Sequence, residues 1–248
     1  MRDTGPMTTR SENNDPSTTL PHGADAVHAL GPLTLRTASV GPMDNNAYLL
    51  TCTATGEQLL IDAAAEPERL RALIAEGAGA ADGDAAGGAW PRLDQVVTTH
   101  RHHDHIGALA EVVVATGART AAGAEDADAI QEQTGTAIDV PLAHGDRVRV
   151  GEAELEVIAL RGHTPGSIAL LWRGGEHGDH LFTGDSLFPG GVGNTDHDPV
   201  RFGQLIDDVE ERVFAVLPDA TRVHPGHGDG TTLGVERPSL PQWRERGW

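Results

Sequence analysis

The run His100-Arg101-His102-His103-Asp104-His105 holds five metal-capable side chains within six residues, and His100, His102, Asp104 and His105 are the four that can act together. Imidazole and carboxylate are the usual protein ligands of zinc and iron(II). Four such groups in so short a run can serve two metals. The alternate residues His100 and His102 can point to one, while Asp104 and His105 point to the next. Without a metal the cluster is electrostatically awkward, because neighbouring imidazoles repel one another once protonated. Three later turns, each shaped by Gly or Pro, carry one further candidate apiece. They are Gly162-His163-Thr164-Pro165-Gly166-Ser167, Thr183-Gly184-Asp185-Ser186 and His224-Pro225-Gly226-His227-Gly228.

The elements that must position these groups read as follows. Leu33–Ser39 alternates like a strand, and Asn46–Cys52 and Gln58–Asp62 follow as strands about a Thr/Gly turn. Residues 66–76 have helical spacing, with Pro67 suited to a first turn. Residues 77–89, almost entirely Gly, Ala and Asp, read as a surface loop. Leu93–Thr99 is a buried strand running straight into the His-rich turn, and Ile106–Thr116 is a helix ended by Gly117. A short strand at 118–122 and a helix at 124–131 come next. Strands return at Arg147–Val150, Ala153–Leu160, Ser167–Trp172 and His180–Thr183. Phe202–Leu217 is the best amphipathic helix, with Phe202, Leu205, Ile206, Val209, Val213 and Leu217 on one stripe. Thr221–His224 is a last short strand. The pattern predicts an α/β layered sandwich, with residues 1–30 as a disordered polar tail and 31–248 as one domain.

Composition narrows the function. The chain has 248 residues, 37 acidic and 18 basic, for a net charge of −19, and every basic residue is Arg. The absence of Lys removes Schiff-base and phosphate-loop lysine chemistry. The acidity argues against nucleic acid and anionic membranes as partners and leaves a small-molecule substrate. A single cysteine, Cys52, excludes an internal disulfide and a cysteine-based metal site, and it reads as a buried small hydrophobe. No leader-like segment or long apolar run is evident, so a cytoplasmic protein is expected. The sequence is compatible with a homodimer.

Taken in order, these motifs resemble those of the metallo-β-lactamase superfamily, and in particular its glyoxalase II-like (hydroxyacylglutathione hydrolase-like) branch. The resemblance runs from about residue 33 to 237, and the H-x-H-x-D-H signature falls on His100, His102, Asp104 and His105. It implies a four-layered αββα sandwich. It implies His100, His102 and His163 on one metal and Asp104, His105 and His227 on a second, with Asp185 bridging. The cofactor implied is a pair of divalent ions, zinc first, with iron or manganese also compatible. Asp44-Asn45-Asn46-Ala47-Tyr48 is similar to the family's first hairpin near the site, which makes Asn46 and Tyr48 candidates for supporting roles. His197, in a Gly-rich stretch, and His224, at a strand end, are candidates to line or support the pocket. Arg101, Arg161 and Arg201 are the cations nearest in sequence for an anionic substrate.

The function implied is a binuclear hydrolase in which a metal-bridging hydroxide cleaves a small carboxyl derivative, a thioester or a lactone. Asp104 would orient that hydroxide and accept its proton. The alternative is a mononuclear iron oxygenase similar to the persulfide dioxygenases, whose ligand positions are also present. Glyoxalase II proper adds a helical domain whose basic and aromatic residues contact glutathione. Only 21 residues follow His227 here, none of them Lys or Tyr, so a glutathione site of that design is not expected.

Overall fold

The computed structural model describes residues 27–79 and 90–247. Its first sheet has seven strands in sequential order: β1 (Val27–Ala29), β2 (Leu33–Val40), β3 (Asn45–Cys52), β4 (Gln58–Ile61), β5 (Gln95–Thr98), β6 (Arg119–Gly123) and β7 (Val140–Leu142). The second begins with β8 (Arg147–Val150), β9 (Ala153–Ala159), β10 (Ile168–Arg173) and β11 (Asp179–Gly184). A two-stranded ribbon, β12 (Leu187–Phe188) and β13 (Gly191–Val192), follows. Then β14 (Arg222–Pro225) and β15 (Thr231–Thr232) complete the six-stranded second sheet in the order β15-β14-β11-β10-β9-β8. The helices are α1 (Pro67–Gly77), α2 (His103–Ile106), α3 (Leu109–Thr116), α4 (Ala124–Thr134), α5 (Pro199–Val209), α6 (Leu233–Glu236) and α7 (Leu240–Arg246).

Strand periodicity builds the layers. Along β3, Tyr48, Leu50 and Cys52 face the core between the sheets, while Ala47 and Leu49 join the apolar layer beneath α1 and α3. Along β10, Ile168, Leu170 and Trp172 join the central core, while Ala169 and Leu171 pack beneath α5. Successive side chains leave a strand on opposite faces, so strands buried on both faces read as continuous apolar runs. The outcome is the four-layered αββα sandwich.

The expected elements differ from the observed ones in instructive ways. The tail expected at 1–30 gives way at its end to β1, which pairs with β2 from Val27 opposite Arg36, and Leu30 is buried. Residues 1–26, and 80–89 of the expected loop, lie outside the described residues. The helix expected from Ile106 begins earlier and breaks, as α2 and α3 about Gly107-Ala108. Asp104 and His105 therefore sit on a helical turn. The long amphipathic helix starts at Pro199, where the Asp198 carboxylate accepts from the amides of Val200 and Arg201. After Val209 it widens into a π-helical turn over Glu210–Phe214, yet the expected apolar stripe is buried as one cluster.

The topology brings the chemistry to one edge. Strands β4, β5, β6 and β7 pair in parallel, as do β11 and β14, so their C-terminal ends share a rim. Ligand sites of α/β sheets form at such rims. Backbone bonds join the two sheets there: Ile168 N donates to Thr99 O at 3.0 Å, and Asn46 N to Gly226 O at 2.8 Å. Close approach also matters, since a methyl on Gly123 would overlap the Gly166 carbonyl in the loop that carries His163. Gly123→Ala is therefore expected to cost about 1–3 kcal/mol as overpacking. Thermal denaturation would read this as a Tm lowered by several degrees. Gly203→Ala, where an added methyl meets open space in α5, is expected to leave Tm unchanged or raised. Equal Tm values for the two variants would contradict the tight contact.

Candidate metal centre

The candidate side chains come from four segments of the rim. His100 follows β5, His102 ends the next turn, and Asp104 and His105 ride on α2. His163 comes from the β9–β10 turn, Asp185 follows β11, and His227 follows β14. The structure gathers all seven. Three overlapping groups, His100/His102/His163, His100/His105/Asp185 and Asp104/His105/His227, each keep their ligand atoms within 4.8 Å of one another. Asp185 lies between them, with Oδ1 at 3.3 Å from His105 Nε2 and Oδ2 at 3.6 Å from His163 Nε2 and 3.4 Å from His227 Nε2.

Hydrogen bonds fix the tautomers of four rings. His163 Nδ1 lies 2.7 Å from Asn194 O, and His227 Nδ1 lies 2.8 Å from Met43 O. A carbonyl only accepts, so each Nδ1 carries the hydrogen. His105 Nδ1 lies 2.8 Å from the Asp62 carboxylate and must likewise donate. Thr99 Oγ1 spends its hydrogen on Asp62 Oδ2 at 2.8 Å, so at 3.0 Å it accepts from His100 Nδ1. The Nε2 atoms therefore face inward. Those of His105 and His227 are 3.1 Å apart, and those of His100 and His163 are 3.3 Å apart. In the neutral rings these are lone pairs facing lone pairs. The buried Oδ1 of Asp185 also has no hydrogen-bond partner. Such a donor set is incomplete without a cation, and its chemistry suits a borderline metal.

The protonation pattern agrees. Burial first, and then neighbouring imidazoles, push His100, His102 and His163 below the ordinary histidine value, toward the neutral form a metal needs. Burial would also lower His105, but Asp62 and Asp185 override it and hold its pKa up to about 10 in the metal-free protein. Burial opposes the ionisation of Asp185, yet the His105 and His227 rings, their Nε2 atoms 3.3 and 3.4 Å from its oxygens, hold its carboxyl far below the ordinary range. For Asp104 burial is likewise outweighed, here by the Asn45 amide, 2.9 Å from Oδ2.

The supporting candidates divide. Asn46 Nδ2 donates to Pro225 O at 3.1 Å and to Gly228 O at 2.8 Å, and Tyr48 OH donates to Pro225 O at 2.7 Å. Both brace the turn that carries His227. His224 is bonded to His180 at 2.9 Å and stacked on Phe182 beside Tyr48, so it supports the sheet beneath the turn rather than touching the cluster. His103 is exposed. His197 lines a cavity beside the site. The three arginines expected to meet substrate are engaged in structure. Arg161 forks onto Asp208, Arg201 reaches Asp196 and the carbonyls of Gly162 and His163, and Arg101 lies 3.7 Å from buried Asp126.

Sequence reasoning missed three residues that set this geometry. Asp62 accepts from Thr99 N at 2.7 Å as well as from Thr99 Oγ1 and His105. Asn45 contacts Asp104, His105 and His227 through one amide. Buried Asp126 accepts from Arg101 N, Thr164 Oγ1 and Gly166 N, which ties the His100 turn to the His163 loop. Asp62 carried the same signal as Asp185, a carboxylate closing an apolar strand; Asp126 carried none. Asp62→Asn is expected to weaken metal binding at the Asp104/His105/His227 group about 10–100-fold. Metal titration of the apoprotein would measure this, and an unchanged affinity would remove Asp62 from the role of orienting His105.

Known proteins resemble this chain in sequence and in fold. The hydroxyacylglutathione hydrolase of Cereibacter sphaeroides is 34% identical over 190 residues, and that of Anaeromyxobacter dehalogenans is 36% identical over 186. Each alignment takes in 74% of this chain, which spans only 62% and 61% of those relatives. Among solved structures, ETHE1 from Myxococcus xanthus superposes with a TM-score of 0.67 at 29% identity, covering 85% of this chain and 84% of the other. The protein TTHA1623, solved in a di-iron-bound form, gives a TM-score of 0.61 at 35% identity, covering 81% and 96%. A family model described as the metallo-beta-lactamase superfamily matches residues 40–227, from the end of β2 to the last histidine of the cluster. The chain belongs to the metallo-beta-lactamase superfamily, whose members bind divalent metals.

Proposed function

We propose that this protein is a binuclear metal-dependent hydrolase that cleaves a small carboxyl derivative, a thioester first and a lactone second. The observation that carries the reading is the pair of complete donor groups, His100/His102/His163 and Asp104/His105/His227, with Asp185 between them. A single-iron oxygenase needs only His100, His102, His163 and Asp185, and gives no reason to orient His105 and His227 so carefully toward the same centre. Zinc is the first choice for nitrogen-rich groups of this kind, with iron next, as in the di-iron relative. When bound, the ions would supply Lewis acidity, lowering the pKa of a shared water and polarising the scissile carbonyl.

The chain's own residues do the rest. Asp104, kept ionised by Asn45, accepts a hydrogen bond from the attacking water, orients it and takes its proton. Asp185 holds negative charge between the two groups. Asn46 and Tyr48 fix the 225–228 turn, so His227 keeps its place as substrate enters. No nucleophilic serine or cysteine is required, and Cys52 lies buried away from the rim in the central core. The reading is of a cytoplasmic enzyme with a small-molecule substrate and no nucleic-acid partner. No described helix is long and apolar enough to cross a membrane.

The test is turnover of a panel of thioesters, lactones, phosphodiesters and β-lactams by protein loaded with zinc, manganese or iron. Thioester or lactone cleavage that needs two metals per chain is expected. His227→Ala should lose one metal and at least 100-fold in kcat/KM. Full activity with one metal, or oxygen consumption on a persulfide by a single-iron form, would overturn the reading.

A further inference from the structure

We propose that the protein carries a second ligand site, at the end of the sandwich opposite the metal rim. It takes a small carboxylate with an apolar body, and Arg147 holds the head group. The proposal goes beyond the hydrolase reading and does not depend on it.

The four parallel strands that carry metal ligands to one rim begin at the other end of the sandwich. There a cavity of about 350 Å³ opens between the sheets, a size that suits a small molecule. The starts of β4 to β7 line one side, and β8, the edge strand of the second sheet, lines the other. The floor is apolar. Ala121, Leu142 and Val148 belong to the central core, and Val140 packs against it. Gln95 at the cavity and Thr98 at the far end of β5 are about 10 Å apart at the usual rise per residue, and His100 lies beyond. A ligand held here is therefore separate from the metal cluster.

Charge argues for the head group. The chain carries −19, yet three arginines, Arg119, Arg147 and Arg149, line this one cavity against two carboxylates, Glu57 and Asp94. Asp94 is already engaged, accepting from Gln58 N at 2.9 Å and from Arg92 Nε at 2.8 Å. Arg149 is engaged too, with Nε 2.7 Å from Glu154 Oε1. Among the described residues, neither Arg119 nor Arg147 forms an ion pair. Arg119 is biased toward Asp139, whose carboxylate accepts from Thr120 N at 2.9 Å and Thr120 Oγ1 at 3.1 Å. Across the β8–β9 ladder Arg147 stands opposite Glu156, whose Oε2 lies 3.8 Å from Arg173 Nε. Arg119 and Arg147 facing Glu57 leave one positive charge at the mouth, a local reversal of the field around the rest of the molecule. One excess charge suits a monoanion, and a planar guanidinium grips a carboxylate through two parallel bonds. The floor sets the other requirement, because apolar surface gains by being covered with hydrocarbon in place of water.

The walls are fixed from both sheets. Gln95 Nε2 donates to Arg149 O and joins the start of β5 to β8. Arg119 N donates to Asp94 O at 3.0 Å, and Gln58 Nε2 to Arg92 O at 3.0 Å, which ties the strand starts together. Asp139 N donates to Thr120 Oγ1 at 3.0 Å and sets the entry to β7. Between β7 and β8, Gly145 N donates to Val157 O and Val157 N to Asp146 O, both at 2.8 Å. A cavity built in advance spares its ligand the cost of ordering the walls.

The test is isothermal titration of 4-phenylbutyrate, 4-phenylbutyramide and acetate into the zinc-loaded full chain, for wild type, R147K and R147A. Wild type should bind 4-phenylbutyrate roughly tenfold more tightly than the amide, which lacks the charge, and at least as far above acetate, which lacks the body. R147A should bind the acid and the amide alike, and R147K should fall between. Arg147 is exposed, so both variants should keep the wild-type Tm. A wild type that does not discriminate, or acetate bound as tightly as 4-phenylbutyrate, would overturn the proposal. So would an R147A that keeps the preference, which is the result expected of an acid held by the metal ions. Turnover of thioesters plays no part in these outcomes, so failure of the hydrolase reading leaves them unchanged.

Discussion

Four imidazoles in this protein have given their Nδ1 hydrogens away before any metal arrives. His163 and His227 donate to backbone carbonyls, His105 to Asp62, and His100 to a threonine hydroxyl whose own hydrogen goes to Asp62. Each bond is ordinary on its own. Together they leave inward-facing Nε2 atoms about a buried carboxylate oxygen that has no hydrogen-bond partner. The metal-free protein meets the resulting repulsion by keeping a proton on His105, raised to about 10 by Asp62 and Asp185. A metal would replace that proton, so affinity should fall as pH falls.

The rest of the structure can be understood as support for that constraint. Asp62 needs β4 and β5 to run in parallel and end together, because it accepts from Thr99 at the end of the neighbouring strand. Asp126 needs α4 to start beside the His163 loop, and Gly123 and Gly166 allow the approach. At Gly226 an added methyl would overlap Asp185 Oδ1, so the last turn can only close without a side chain there. Two sheets buried on both faces give these loops a rigid rim, where tenths of an ångström decide whether donor atoms converge.

Much of this was legible in the sequence, for physical reasons. The strands of the sandwich are buried on both sides, so they appear as short apolar runs, and the expected and observed bounds agree within a residue or two for β8 to β11. The seven clustered side chains were visible because each sits at a strand end or in one compact run. β1 was hidden because an edge strand with the exposure of Val27–Ala29 has no apolar pattern; its partner makes it a strand. The break at Gly107-Ala108 was hidden because apolar periodicity continues across it. Asp62 and Asp126 act on residues 25 to 43 positions away, and Asn45 on residues as far as 182 away, spans over which local spacing carries no information.

Anomalous diffraction from crystals of the zinc-loaded protein tests the central claim most directly. Two zinc peaks per chain are expected, one bounded by His100, His102 and His163, the other by Asp104, His105 and His227, with Asp185 between them. A single peak, or peaks elsewhere with these Nε2 atoms facing no metal, would contradict it.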